Sequence, residues 1–234
     1  MQLDYSQAEF RVLAILSQDP YMIKSYQEGI DFHDAVATAM FGPNFDKEQR
    51  VLAKTINFGI AYGRGPGSIA QKFHMSMNEA RSFIARWYEP MPGVKAYIDG
   101  QRSKPLKNEE CTTPMGRMRH FIITDAEMNH IQNEYINTPI QSLASDFTML
   151  SLIHIHEWLQ KEGIDAKIVS TVHDSILIEV VDDKKIIDKV ATKCIDIMAT
   201  TPQQYVDTQG VPFKADAEYG KSWGLLKEWE PGAN

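Results

Sequence analysis

Apolar residues recur along the chain at two different spacings, and each change of spacing marks a new element. Residues 2–5 read as the end of a short buried strand. From Ser6 onward Ala8, Val12, Leu13 and Leu16 follow helical periodicity until Asp19-Pro20 stops the run. Asp46 is an N-cap for a second helix, from Lys47 to the neighbourhood of Gly59, which the glycine-rich residues 63–67 break. Ser76 and Glu79 form a capping box for a third, with Ala80, Phe83, Ile84, Trp87 and Tyr88 inward and Pro90 and Pro92 as its end. A long helix is expected from about Gln141 to Lys161, with Leu143, Ala144, Phe147, Leu150 and Ile153 as its buried stripe and Gly163 as its stop. A hairpin follows: strand residues run from Ala166 to Val172, residues 173–175 interrupt them, and Ile176 resumes. A helix with Ile186, Ile187, Val190, Cys194 and Ile197 inward and a strand from Val211 to Glu218 complete the set. This order predicts an α+β fold, a small antiparallel sheet packed on helices.

Composition narrows the class. The 234 residues are 43% hydrophobic and 24% charged, ordinary for a chain that builds a core. There is no apolar run near the roughly 20 residues that span a bilayer, and the start has no signal-peptide pattern, so the expected location is the cytoplasm, without a membrane partner. Cys111 and Cys194 lack metal-ligand spacing and read as packing residues. His154 and His156, two apart on a helix, cannot share a face. Residues 63–67 lack the Gly-Lys-Ser/Thr ending of a phosphate-binding loop. A net charge of -7 argues against a nucleic-acid partner, but Arg50, Lys54, Arg64, Arg117 and Arg119 concentrate basic charge in a few segments.

Two features carry candidate chemistry. Asp4 ends the first strand and Asp174 sits at the hairpin tip, where adjacent strands could bring them together as a carboxylate pair suited to Mg²⁺. Each can also be read alone as a helix cap or a turn residue. On the helix from Lys47, the residues Arg50, Lys54, Phe58 and Tyr62 recur every fourth position and project to one side. Two cations followed by two aromatic rings match a nucleoside triphosphate, although a solvated face with a buried aromatic end has the same pattern.

At these residues the chain resembles the family A DNA polymerases, the group of bacterial DNA polymerase I. Residues 4–14 (DYSQAEFRVLA) are similar to motif A, residues 50–63 (RVLAKTINFGIAYG) to motif B and residues 172–175 (VHDS) to motif C. Residues 29–33 (GIDFH), 116–119 (GRMR) and 137–141 (NTPIQ) match further family segments in the expected order, and residues 215–224 (ADAEYGKSWG) resemble the family's usual end.

The resemblance implies a palm at residues 1–19 and 133–234, with motifs A and C, and mostly helical fingers at 20–132, with motif B. It also implies a template-directed DNA polymerase adding deoxynucleotides to a primer 3′ end with two Mg²⁺ ions. Asp4 and Asp174 match the metal-binding aspartates, with the Tyr5 carbonyl as a further ligand. Arg50, Lys54 and His33 match triphosphate-binding residues, Lys54 among the catalytic ones. Phe58 stacks on the incoming nucleotide, Tyr62 stands near the template base, and Gln7 belongs to the substrate-binding set. Glu9 matches the gate that rejects a ribose 2′-hydroxyl. Gln141, Asn137 and His173 match DNA contacts near the primer end, and Arg117 and Arg119 contacts to the template-primer backbone.

The chain departs from the pattern in four places. Motif C normally reads His-Asp-Glu, and Ser175 replaces the glutamate, so reduced activity is expected. Asn133 stands where an arginine is common, which removes a DNA contact, and Ala8 replaces a larger aliphatic residue beside Glu9. Motif A normally lies deep within a longer chain, so thumb and nuclease domains are expected to be absent, and either an upstream thumb-bearing polypeptide is an expected partner beside DNA and deoxynucleoside triphosphates, or the chain is a fragment of a longer gene product. The rival readings are a fragment of a single-subunit RNA polymerase, which Glu9 opposes, and a catalytically dead DNA-binding remnant. Phenylalanine at position 58 goes with rejection of dideoxynucleotides in this family. Phe58→Tyr is therefore expected to raise dideoxynucleotide incorporation by about tenfold or more, the worth of one well-placed hydroxyl contact. Chain-termination assays measure this, and unchanged incorporation would show that the finger helix is misaligned.

Overall fold

The computed structural model describes residues 1–106 and 109–231. The elements run in the order β1 (Gln2–Tyr5), α1 (Ala8–Ser17), α2 (Pro20–Gln27), α3 (Phe32–Phe41), α4 (Lys47–Ala61), α5 (Pro66–Lys72), α6 (Met77–Tyr88) and α7 (Pro92–Ser103). There follow β2 (Glu110–Thr112), β3 (Met118–His120), α8 (Met128–Glu162), β4 (Ala166–Val172), β5 (Ser175–Val180), α9 (Lys184–Thr200), α10 (Pro202–Tyr205), β6 (Ala215–Tyr219) and β7 (Lys227–Glu228). The fold is α+β, helical in most of its length with small antiparallel sheets. No helix among the described residues is long and apolar enough to cross a membrane.

The chain forms two compact units. One comprises Met1–Val12, Ser142–Thr208 and the segment from Pro212 onward; the other comprises Leu13–Gln141 and Gln209–Val211. The divisions thus fall within α1 and α8, whereas the sequence boundaries were drawn at 19/20 and 132/133. The end of the second palm range expected from sequence, residues 232–234, lies outside the described residues.

The first unit is built on a five-stranded sheet in the order β4-β5-β1-β6-β7, with antiparallel pairing throughout. Because strand side chains alternate, Leu3 and Tyr5 of β1 share a face with Ile176 of β5 and with Ala217 and Ala215 of β6, and all five are buried. Val190, Cys194 and Met198 of α9 and Phe147 and Ile155 of α8 are among the buried helical residues of this unit. The Tyr5 hydroxyl ties the layers together, donating to the Met198 carbonyl at 2.7 Å and lying 2.8 Å from Ser151 Oγ. The opposite face carries Gln2, Asp4, Ser175, Leu177, Asp216 and Glu218.

The second unit is helical apart from the β2–β3 hairpin. Both expected capping boxes are present, Asp46 with Gln49 at α4 and Ser76 with Glu79 at α6. Asp19 does more than stop α1. Its Oδ1 accepts from the backbone N–H groups of Tyr21 and Met22, and its Oδ2 from those of Gly93 and Val94, so one fully buried carboxylate caps both α2 and α7. A Cβ on Gly93 would lie 2.9 Å from Asp19 Oδ2, which is why this approach needs glycine.

Several boundaries differ from those expected. Pro92 opens α7 at its first turn, where a proline's missing N–H costs nothing, rather than only ending α6. Helix α8 begins at Met128, well before Gln141, and runs through Pro139; burial of Tyr135, Ile136, Ile140 and Leu143 around that proline outweighs its helix-breaking tendency. In the second half of α8 the inward residues are Ile155 and Leu159, and Ile153 is 47% exposed, because the buried stripe drifts around a helix this long. Regular pairing of β6 starts at Ala215, although Val211 and Phe213 before it are buried. Helices α2 and α3, which the sequence reading left unassigned, carry aspartate N-caps at Asp19 and Asp31.

Asp19→Ala strips four backbone donors of their partner and is expected to cost about 2–4 kcal/mol of stability. Urea unfolding monitored by circular dichroism measures it; a loss below about 0.5 kcal/mol, the size of an ordinary surface substitution, would show that neither cap matters.

Candidate functional site

In the first unit, β1 lies between β5 and β6, so Asp4 has Ser175 opposite it on one side and Asp216 on the other. Asp174 and His173 form a two-residue connection between Val172 and Ser175, which pair with each other. His173 has φ 56°, the left-handed conformation that tight two-residue hairpin turns use and that is costly for a residue with a Cβ. The backbone N–H of Tyr5 donates to the Asp174 carbonyl at 3.4 Å. The sheet therefore brings Asp4 close to Asp174, whose negative charge acts on the Asp4 carboxyl.

Partial desolvation pushes the Asp4 carboxyl up to about 6, helped by the negative charge of Asp174 and then of Asp216 and Glu218. Glu9 is also raised, by burial and by Asp174, while His173 opposes the shift. Glu9, His173, Asp174 and Asp4 thus act on one another within this unit. The Tyr5 side chain is buried in the core, with its hydroxyl raised by that burial, so only its main chain is available to a ligand. Gln7, half-buried, holds a left-handed φ of 55°, and its carbonyl accepts from the Arg11 N–H at 3.1 Å as α1 begins. Ser175 is buried, and its hydroxyl donates to the Val172 carbonyl at 2.8 Å, bracing the turn.

Among the described residues no group of three or more His, Cys, Asp or Glu side chains is placed to hold a metal ion. The Asp4–Asp174 pair nevertheless fits a hard divalent cation, because two neighbouring carboxyl groups offer oxygen ligands and an excess of negative charge. Mg²⁺ keeps several waters and commonly takes one or two protein carboxylates.

In the second unit, α4 presents Arg50, Lys54 and Phe58 in order, and Tyr62 follows as the C-cap residue, one position beyond the helix. Lys54 is exposed; the rings of Phe58 and Tyr62 are half-buried, with centroids 5.8 Å apart. The Arg50 guanidinium reaches two carboxylates, pairing through Nε with Asp34 and through Nη2 with Asp31 at 3.2 Å. His33 lies 5.5 Å from the Phe58 ring and is buried, with Nδ1 3.2 Å from Asn57 Nδ2; burial lowers it to about 4, with Lys54 and Arg50 adding to the effect and Asp31 and Asp34 opposing it.

The expected DNA contacts of this unit are more scattered. Asn137 Nδ2 donates to the Tyr62 carbonyl at 3.5 Å, which links α8 to the end of α4. Arg119 pairs with Glu134 at 2.5 Å and donates to Thr138 at 3.0 Å, while Arg117 and Gln141 are exposed. Asn133 packs at the end of α4, where a Cβ on Gly63 would lie 2.5 Å from its Oδ1.

The sequence reading missed several residues around these groups: Asp216 and Glu218, the carboxylates on Arg50, and Asn57. Alternation of small and acidic residues in 215–218 was the available signal for the first pair. Spacing alone cannot report a partner from another helix.

Between about pH 4 and pH 6 the folded chain holds a proton on Asp4 that the unfolded chain, with an ordinary carboxyl near 3.8, has released. Stability is therefore lost as pH rises through this window. Asp4→Asn is expected to raise Tm at pH 7 in a chelating buffer by roughly 2 °C, a small gain because the exposed carboxylate is screened, and to give no gain near pH 4. Calorimetry at the two pH values measures it; equal effects at both would mean that the pair is not strained.

The chain is 31% identical over 226 residues to DNA polymerase I of Chloroflexus aurantiacus, covering 94% of this chain and 23% of that protein. It is 32% identical over 239 residues to the DNA polymerase of Bacillus phage SP01, covering 96% and 26%. The chain thus spans about a quarter of the length of these relatives. Among solved structures, the POL domain of Pol1 from M. smegmatis, in complex with DNA primer-template and dNTP, superposes with a TM-score of 0.85 at 26% identity, covering 95% of this chain and 39% of that one. The profile described as DNA polymerase family A matches residues 1–225, and the chain belongs to that family.

Proposed function

We propose that this chain is the palm-and-fingers catalytic region of a template-directed DNA polymerase, adding deoxynucleotides to a primer 3′ end. The observation that carries this reading is the placement of Asp4 beside Asp174 in the sheet of a family A chain. The first unit is read as palm and the second as fingers, corresponding to the ranges 1–19, 20–132 and 133–234 drawn from sequence.

Asp4 and Asp174, with the main-chain carbonyl of Tyr5, would hold two Mg²⁺ ions. When bound, these supply charge neutralisation and a more acidic primer hydroxyl. The chain's own residues do the positioning. Lys54 presents a mobile ammonium to the phosphates, and Arg50 adds a guanidinium once it trades carboxylates for phosphate oxygens. Phe58 stacks on the base, beside Tyr62. Glu9, at the pair's edge with Gln7 nearby in the chain, excludes a 2′-hydroxyl by occupying its space, which favours deoxynucleotides over the RNA polymerase alternative. His173, Asn137, Gln141, Arg117 and Arg119 contact the template-primer. The missing third carboxylate at Ser175 leaves the site weaker than in relatives that have it.

The proposal includes an upstream thumb-bearing polypeptide that works with this palm-and-fingers region. Primer extension tests the whole reading, with the chain supplied alone or together with the upstream portion of a related polymerase. Mg²⁺-dependent, template-directed extension is expected, abolished by Asp174→Ala and reduced about 10²-fold or more by Lys54→Ala. Duplex binding with no extension under either condition would leave a DNA-binding remnant instead.

A further inference from the structure

Trp87 reads from sequence as a core residue, and Asn57 lies within the motif B stretch. Together they determine which nitrogen of His33 carries a proton. An indole N–H can only donate, so Trp87 Nε1 requires an acceptor, and its partner is Asn57 Oδ1. That contact orients the amide, and its Nδ2 faces His33 Nδ1 at 3.2 Å. An amide nitrogen can only donate as well. Nδ1 must therefore offer its lone pair, and a neutral ring then has its single proton on Nε2. The three side chains are 1%, 0% and 3% exposed, so water does not substitute readily for any of these contacts.

We propose that Trp87 and Asn57 are positioning residues that lock His33 as a neutral Nε2–H donor to a phosphate oxygen of the incoming nucleotide. This rests on the reading above that places His33 at the triphosphate. The relay explains why a histidine flanked by the carboxylates Asp31 and Asp34 and the cations Arg50 and Lys54 need not carry charge to serve there. It supplies a directed hydrogen bond, while Lys54 and Arg50 supply charge. It also gives a role to the packing of α6 against α3 and to the Asn57 position of α4.

The experiment is ¹⁵N-correlated NMR of the full chain labelled at histidine, with the His33 signals identified by their loss in His33→Gln. At pH 7 the wild type is expected to show the Nε2–H tautomer with an unprotonated Nδ1. Asn57→Asp keeps an acceptor for Trp87 but replaces the donor facing His33 with an acceptor, so Nδ1 should become protonated. Trp87→Phe removes only the group that orients the amide, and a mixture of tautomers is expected; this second variant decides the matter if the buried charge of Asn57→Asp prevents folding. A wild-type Nδ1–H tautomer, or the unmixed Nε2–H form in both variants, overturns the relay. Inorganic tripolyphosphate should then shift the wild-type Nε2 signal. A signal that does not move, with the expected tautomer present, overturns the donor role and the placement of His33 at the triphosphate, while the Trp87–Asn57–His33 hydrogen bonds themselves stand.

Discussion

The antiparallel pairing of β1 between β5 and β6 is the constraint on which the chemistry of this chain depends. It fixes Asp4 against the hairpin tip that carries Asp174 and, through Tyr5, anchors the same strand to Ser151 and Met198 behind it. A one-residue slip of β1 would send Leu3 and Tyr5 to the open face and Asp4 into the core. Burial of those two side chains therefore holds the carboxylate in place. The hydrophobic face and the acidic face are one device, because alternation along a strand allows neither without the other.

Holding like charges together costs stability, and the cost appears in Asp4 and Glu9, both raised toward the protonated state. The left-handed His173 at the same turn adds backbone strain. Such a concentration of unfavourable choices in a few residues is what a site kept for cation binding would show. In the other unit the charges are arranged differently. Arg50 is compensated by Asp31 and Asp34, Lys54 stands in solvent, and His33 is kept neutral by burial. Under the proposed function, a polyanion meeting this helix would find Lys54 accessible, Arg50 needing to exchange partners, and His33 as an oriented donor.

Much of this was legible in the sequence where a local rule applied. The capping boxes at Asp46 and Ser76, the hairpin around His173-Asp174 and the inward stripe of α9 each follow from short-range stereochemistry. What failed depended on residues far apart in the chain. Pro92 looked like a terminator because its role as the first residue of α7 depends on Asp19, many positions earlier. Nor does anything local announce the burial that carries α8 through Pro139. In the candidate site, residues with family motifs were found, whereas their supports were not. Asn57 sits inside the motif B stretch, yet its task depends on Trp87 from another helix, and Asp216 acquires meaning only through its register with Asp4.

On the proposed reading, Asp4 and Asp174 form one cation site on the open face of the sheet. Titration of the chain with Mn²⁺, followed by electron paramagnetic resonance of the free ion, tests it most directly. The account predicts binding by the wild type that is lost in Asp4→Asn and equally in Asp174→Asn. Binding that survives either substitution unchanged would contradict it.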